Sequence, residues 1–283
     1  MEKIFTKTYD GPRRKPECPP RPPWIIDAES PPRTSKQKRS SKPPKMPTHF
    51  SPAALKFLRS LARNNDRAWF DPRKPLYERE LKAPMLALID EVNHALATFA
   101  PDHVRPPHKA MLRIYRDTRF DASRGLPAKP YKTNVAAWWI RAGLEKTSGA
   151  GFYFHISPKE TVIAAGIYMP TKDQLLALRR HIEQLHTELR RILAHKKLRA
   201  AMNEFEGPTL KRPPRGFSAD SPALDLLLQQ RWGVSATLPA ETAIQPTLLK
   251  EITTRFALAA PLIHFLNTPI AAPKHRPTAD YAD

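Results

Sequence analysis

The sequence predicts an α+β domain: an antiparallel sheet of about four strands packed by N-terminal and C-terminal helices, behind a disordered Pro-rich basic N-terminal tail. Three observations carry this. Apolar residues recur at helical spacing on both sides of a central block. That block, 111–169, is rich in aromatic and β-branched residues, and its connections are too short for crossover helices, which favours an antiparallel meander. The first 50 residues hold 11 of the 32 prolines, and 12 Lys and Arg against 5 Asp and Glu.

The tail comes first in the chain. Its run Pro19-Pro20-Arg21-Pro22-Pro23 joins neither a helix nor an inner strand, because proline lacks the N–H and fixes φ. Such a segment buries too little apolar surface to offset its ordering entropy. Residues 1–47 are therefore expected to be disordered and partly polyproline-like, with a single α+β domain over 48–283. Arg33, Lys36, Lys38, Arg39, Lys42 and Lys45 are its densest cations. They suit contact with an acidic surface, a nuclear import signal, or simple solvation.

The body opens on Ser51-Pro52, an N-cap followed by proline at the first helical position. Leu55, Leu58, Leu61 and Ala62 supply the apolar stripe, and Asn64-Asn65 ends the helix. After Trp69-Phe70 a second helical stretch is interrupted near Pro84, then continues on Met85, Leu88, Ile89, Val92, Leu96 and Phe99. The expected strands are Met111–Phe120, Val135–Ala142, Phe152–Ser157 and Thr161–Met169, with a hairpin turn at Ser157-Pro158-Lys159-Glu160. Thr171 with Gln174 makes a capping box, and a long helix follows on Leu178, Ile182, Leu185, Leu189 and Ile192. A basic Pro-rich loop, a short helix near Leu224–Leu228, an optional strand at Val234–Leu238 and a helix from Pro246 to about Asn267 complete the chain.

Composition narrows the function. The chain carries 47 Lys and Arg against 27 Asp and Glu, a formal charge of +20 over 283 residues. That favours anionic partners. One cysteine excludes a disulfide scaffold and Cys-rich metal sites. No apolar run reaches membrane-spanning length and the start lacks a secretory h-region, so no membrane association and a cytoplasmic location are expected. Only 9 glycines, and no Gly-rich phosphate loop, HExxH, GxSxG or dinucleotide fingerprint, argue against the common nucleotide and hydrolase designs. No cofactor is expected.

Among the histidines, His181 and His186 are five residues apart and point to different helix faces. His181 and His195 share a face roughly 21 Å apart by helical rise. His103 and His108 lie in a loop with Asp102. No metal ligand set is assigned.

The least ordinary stretch runs from Arg113 through Arg116, Asp117 and Arg119 to Phe120. On a strand, alternation puts Arg113, Tyr115, Asp117 and Arg119 on one face. Three guanidiniums around one carboxylate leave a positive surplus that suits a phosphate or carboxylate, through bidentate hydrogen bonds. The same group also suits an internal ion-pair network. Tyr131, Lys132 and Asn134 follow closely, and Lys211, Arg212 and Arg215 form a second basic loop stiffened by two prolines. The candidate anion-binding set is Arg113, Arg116, Asp117, Arg119, Tyr131, Lys132, Lys211, Arg212 and Arg215. No catalytic residue is assigned. Trp138 and Trp139 put one indole on each sheet face, and with Phe152 and Phe154 they are secondary candidates for base stacking.

These residues resemble a family. The chain is similar to the conserved hypothetical proteins of the domain of unknown function 2461, whose signature is Arg-x-x-Arg-Asp-x-Arg-Phe followed by Asp/Asn-Lys-x-x-Tyr. Arg113, Arg116, Asp117, Arg119 and Phe120 match the first half. Phe57-Leu58 through Asn64-Asn65, Trp69-Phe70, Pro130-Tyr131-Lys132 and Leu210 through Phe217 extend the likeness over about 50–270. The second half departs: Asp121 to Lys129 lengthen the link, and Ala128 stands where the lysine is expected, with Lys129 one place late. The resemblance implies a common site location and no particular activity.

Three functions remain open. The first is a basic module binding nucleic acid or a phosphorylated ligand. The second is an enzyme acting on a small anionic substrate held by Arg113, Arg116, Asp117, Arg119, Tyr131 and Lys132, with Tyr131 or Lys132 moving a proton. The third is a structural protein in which the Arg–Asp cluster is an ion-pair staple.

Overall fold

The computed structural model, which describes residues 48–118, 129–144, 149–205 and 209–271, begins with a helix whose two ends the sequence supplies. Helix α1 spans Pro52–Arg63. Ser51 Oγ accepts the Ala54 N–H at 3.2 Å, and Asn64 closes the far end by donating its side-chain amide to the Ser60 carbonyl at 3.0 Å. Leu55, Leu58 and Leu61 are buried. The tail, 1–47, lies outside the described residues, which belong to one compact unit, Lys45–Asp283.

The next stretch winds unevenly because prolines punctuate it. Helix α2 (Arg67–Phe70) tightens to a 3-10 turn at Asp71–Arg73, resumes as α3 (Lys74–Tyr77) and widens to a π turn at Glu78–Lys82 before α4 (Ala83–Phe99). Pro84 has no N–H to give the Glu80 carbonyl, and the Ala83 N–H reaches back to Glu78 instead. The interruption expected near Pro84 is this π turn. A 3-10 turn (Pro101–His103) and α5 (Pro107–Ala110) then lead to the sheet.

The sheet has five strands, not about four. They are β1 (Val135–Ile140), β2 (Gly151–Ile156), β3 (Glu160–Ile167), β4 (Asn203–Glu204) and β5 (Trp232–Pro239), in the order β1-β2-β3-β5-β4, with every pairing antiparallel. Strand β4 is two residues long, too short to leave an alternating pattern. Ser157 caps the β2–β3 hairpin, its Oγ accepting the Glu160 N–H at 3.1 Å. Of the strand expected over Met111–Phe120, the described residues 111–118 form no continuous strand, and 119–120 lie outside the described residues. The described part makes isolated bridges at Met111 and Tyr115, for a reason given below.

Among the described residues three helices follow the meander and a fourth comes after the last strand. Helix α6 (Lys172–Leu193) begins with both halves of the Thr171–Gln174 capping box. Helices α7 (Lys196–Ala201) and α8 (Leu224–Leu227) are short. Helix α9 (Leu248–Ala271) starts two residues after Pro246 and continues past Asn267, with Pro261 and Pro269 inside it.

Alternation divides the sheet into two faces. Trp139, Phe152 and Phe154 turn to the helices and are fully buried, with Phe256 of α9 against both Trp139 and Phe152 at ring separations of 5.5 and 4.8 Å. Trp138, Tyr153, His155 and Ser235 occupy the other face and are only half-buried. One covered and one open face is the usual state of an antiparallel sheet. Phe205 lies across the open face at Gly166 and Gly233, where any Cβ would collide with its ring.

Three asparagines act as one-residue strands. Asn65, Asn93 and Asn267 each accept the N–H and bond the C=O of a single distant residue, respectively Tyr131, Arg105 and Ala150. A buried or half-buried backbone needs such partners where no strand lies alongside.

Candidate functional site

The Arg-rich segment runs antiparallel to the residues leading into β1. Met111 bridges Ala137 and Tyr115 bridges Tyr131. Met111 to Tyr115 is four steps and Tyr131 to Ala137 is six, so two extra residues must bulge from the second strand. They fall at the bends of Thr133 and Asn134, opposite Arg113. Between the bridges Leu112 N–H bonds the Ala136 carbonyl, and Lys132 N–H bonds the Ile114 carbonyl, each at 2.8 Å. A bulge bends the ladder and redirects side chains. It also breaks the strand alternation read from the sequence. Arg113 and Tyr115 no longer share surroundings: Arg113 turns to the open face, whereas the Tyr115 ring lies 5.6 Å from that of Tyr131.

At the bulge is a cavity of about 150 Å³ lined by Leu112, Arg113, Lys132, Asn134, Ala136 and Tyr153. Among the described residues the lining holds a guanidinium, an ammonium, an amide and a phenol, and no carboxylate. This is donor-rich chemistry suited to an anion. Its volume is of the size that holds a benzene-sized guest.

Tyr131 holds this edge in place. It is 2% exposed, and its ring stacks on Phe70 at 4.1 Å and an interplanar angle of 20°. Its hydroxyl donates to Asp71 at 3.5 Å, and Asn65 clamps its N–H and C=O at 3.0 and 2.8 Å. Burial first, then the Asp71 carboxylate, pushes the Tyr131 hydroxyl above its ordinary pKa. The segments that drew attention separately in the sequence, Asn64-Asn65, Trp69-Phe70 and Pro130-Tyr131-Lys132, thus meet at one ring. Tyr131 belongs to the core, and Lys132 beside it lines the cavity and also engages a partner.

The other candidates are distributed differently. Arg116 is exposed and Asp117 half-buried, both outside the cavity lining, and both engage partners. Arg119 lies outside the described residues. Lys211, Arg212 and Arg215 are exposed in a loop whose ends are tied by the Thr209–Gln229 bridge and by Leu210 N–H to the Leu228 carbonyl. Those anchors adjoin the start of β5, at the end of the sheet where β1 finishes. The cavity adjoins the start of β1. Cavity and loop anchors therefore sit at diagonally opposite corners, three strand spacings or about 14 Å apart across the sheet.

The sequence pointed to no functional role for Tyr153, His155 and Glu160. Tyr153 lines the cavity. Its hydroxyl is 3.1 Å from His155 Nδ1, and Glu160 Oε1 is 3.7 Å from His155 Nε2. Burial, reinforced by Tyr168, pushes the Tyr153 phenol up to about 12. Burial holds His155 below its ordinary value, against the opposing pull of Glu160. The signal in the sequence was the period-2 spacing of Tyr153 and His155, but nothing there marked the face as open. Further along, Tyr168 is 59% exposed, with Arg231 stacked over it at 4.8 Å and Phe205 at 6.5 Å. Of the secondary stacking candidates, Trp138 is on this open face, whereas Trp139, Phe152 and Phe154 are core.

Among the described residues no three of His, Cys, Asp and Glu converge as a metal site. His103 is buried, where desolvation lowers its pKa, and it donates Nε2–H to the Ala150 carbonyl at 3.4 Å. Among the described residues no helix is long and apolar enough to cross a membrane.

The model of a family described as conserved hypothetical protein (DUF2461) matches residues 53–265. No curated protein matches the chain.

Proposed function

We propose, for a chain that belongs to the DUF2461 family of conserved hypothetical proteins, that it binds a phosphate-bearing ligand at the edge of its open sheet face. The observation that carries this reading is the bulge cavity, with Arg113 and Lys132 in its lining and no carboxylate among the described residues that line it. An arginine fork pairs two phosphate oxygens, and a lysine adds a point charge. The +20 formal charge raises the local concentration of such ligands.

A nucleic-acid strand is a second reading. It draws on Tyr168, half open to solvent beneath the Arg231 guanidinium, since bases stack on such aromatic and cationic surfaces. An ion-pair role remains the reading for Arg116 and Asp117, which each engage a partner and do not line the cavity.

Titration of the full chain with inorganic phosphate, a mononucleotide and labelled single-stranded RNA at two salt concentrations tests these readings. Saturable phosphate binding that weakens in Arg113→Ala and Lys132→Ala is the expected result. RNA binding with a steep salt slope, lost in Tyr168→Ala, moves the strand reading to first place. Phosphate binding indifferent to both cavity substitutions sinks the cavity.

A further inference from the structure

We propose that the cavity is a hydrolytic site for phosphate esters, in which Tyr153 is the catalytic base and passes its proton to His155, positioned by Glu160. The inference rests on the phosphate-binding reading of the same cavity. It adds a reaction and the residues that perform it.

The geometry is a carboxylate, an imidazole and a hydroxyl in line on one sheet face. Tyr153 and His155 alternate on β2, so both project to the open side. Glu160 begins β3 across the hairpin, and Ser157, bonded to the Glu160 backbone, fixes that turn. With Glu160 Oε1 at 3.7 Å from Nε2 and the phenol oxygen at 3.1 Å from Nδ1, the tautomer that suits both partners carries its proton on Nε2. We assign that tautomer from the network. Nδ1 then accepts the phenolic proton. This is the logic of a hydroxyl activated by a base that a third group orients.

Burial reinforces the arrangement. A phenolate is disfavoured at Tyr153, so the oxygen gains basicity only as its own proton leaves for His155. The same burial keeps His155 neutral near pH 7 and able to accept. The cavity's size, about 150 Å³, points to chemistry at the anion itself, because a phosphoryl group and an adjacent water already fill such a space.

The step balances with water alone. Water beside the phosphoryl group gives a proton to Tyr153 Oη as the phenolic proton moves to His155 Nδ1. The water oxygen bonds to phosphorus, and the P–O bond to the leaving group breaks. The leaving group departs with the electron pair, while Arg113 and Lys132 offset charge on the phosphoryl oxygens. The imidazolium, held by Glu160, returns its proton to Tyr153, and the extra proton passes to the leaving group or to solvent.

The test uses the full chain with para-nitrophenyl phosphate and bis(para-nitrophenyl) phosphate across pH 5–10, alongside calorimetric binding of inorganic phosphate. We expect the unaltered protein to release nitrophenolate. Tyr153→Phe should lower kcat by about a hundredfold or more while Arg113-dependent phosphate binding persists. His155→Gln should do the same and remove the acidic limb of the pH profile. Glu160→Gln should shift that limb, and Glu160→Asp should restore part of the rate. Phosphate binding that depends on Arg113 with no nitrophenolate release from either ester, or with Tyr153→Phe hydrolysing at the unaltered rate, overturns the relay and leaves the binding reading standing. Absence of phosphate binding in every form overturns both.

Discussion

Two Arg-rich segments look alike in the sequence and have different fates in the fold. Arg113 and Lys132 stand on either side of a bulged ladder, above a tyrosine stacked at 4.1 Å on Phe70, and they line a cavity. Lys211, Arg212 and Arg215 carry as much charge, yet they are exposed on a loop whose Phe217, and not its cations, packs against the core. Charge density is the same kind of signal in both. What separates them is the surroundings of the cations: the braced edge gathers its donors around one cavity, whereas the loop leaves its cations open to solvent, where each side chain pays ordering entropy when it grips a ligand. An anion site is made by the support of its charges more than by their number.

The largest break in that comparison comes from removing the brace. Tyr131→Ala deletes a ring 2% exposed and is expected to cost about 3–5 kcal/mol in urea denaturation. Lys132-dependent phosphate binding should disappear with it. Asn65→Ala leaves the Tyr131 N–H and C=O without their partner amide and should cost about 2 kcal/mol, from two hydrogen bonds and the groups left unsatisfied. An Asn65→Ala protein as stable as the parent would show that the edge holds without the clamp.

Effects on binding come next. Arg113→Ala should weaken phosphate binding about tenfold, equivalent to about 1.4 kcal/mol, with the unfolding midpoint little changed because the side chain is exposed. The smallest effects belong to the loop. Arg212→Ala should alter stability by no more than about 0.5 kcal/mol and leave phosphate affinity unchanged in calorimetry. Against labelled RNA it should lower the salt slope by about one at most. A loss in Arg212→Ala equal to that in Arg113→Ala would erase the distinction drawn between the two segments.

The elements were legible where the signal is local. Ser51-Pro52, the Thr171–Gln174 box and the Ser157–Glu160 turn each place a hydrogen-bonding side chain within three residues of its target, and each is found where expected. The three central strands alternate on residues of high β propensity and were equally readable. Strand β4 and the bulge opposite Arg113 were not. The first is too short for a pattern, and the second depends on how many residues lie between two bridges formed by distant segments. The candidate site was half legible. Arg113 and Lys132 were flagged by composition, but Tyr153 was not, because a tyrosine in a strand reads the same on a covered face and on an open one.

By itself the sequence determined the α+β class, the helix ends and the basic character of the chain, since each follows from propensity, capping and composition over a few residues. Only the tertiary structure decided which sheet face the helices cover, that Asn65 and Phe70 grip Tyr131 across more than sixty positions, and that Arg113, Lys132 and Tyr153 share one cavity. The physical reason is range. Local structure is chosen by neighbours along the chain, whereas a site is assembled by packing and hydrogen bonds between segments that are neighbours only in space.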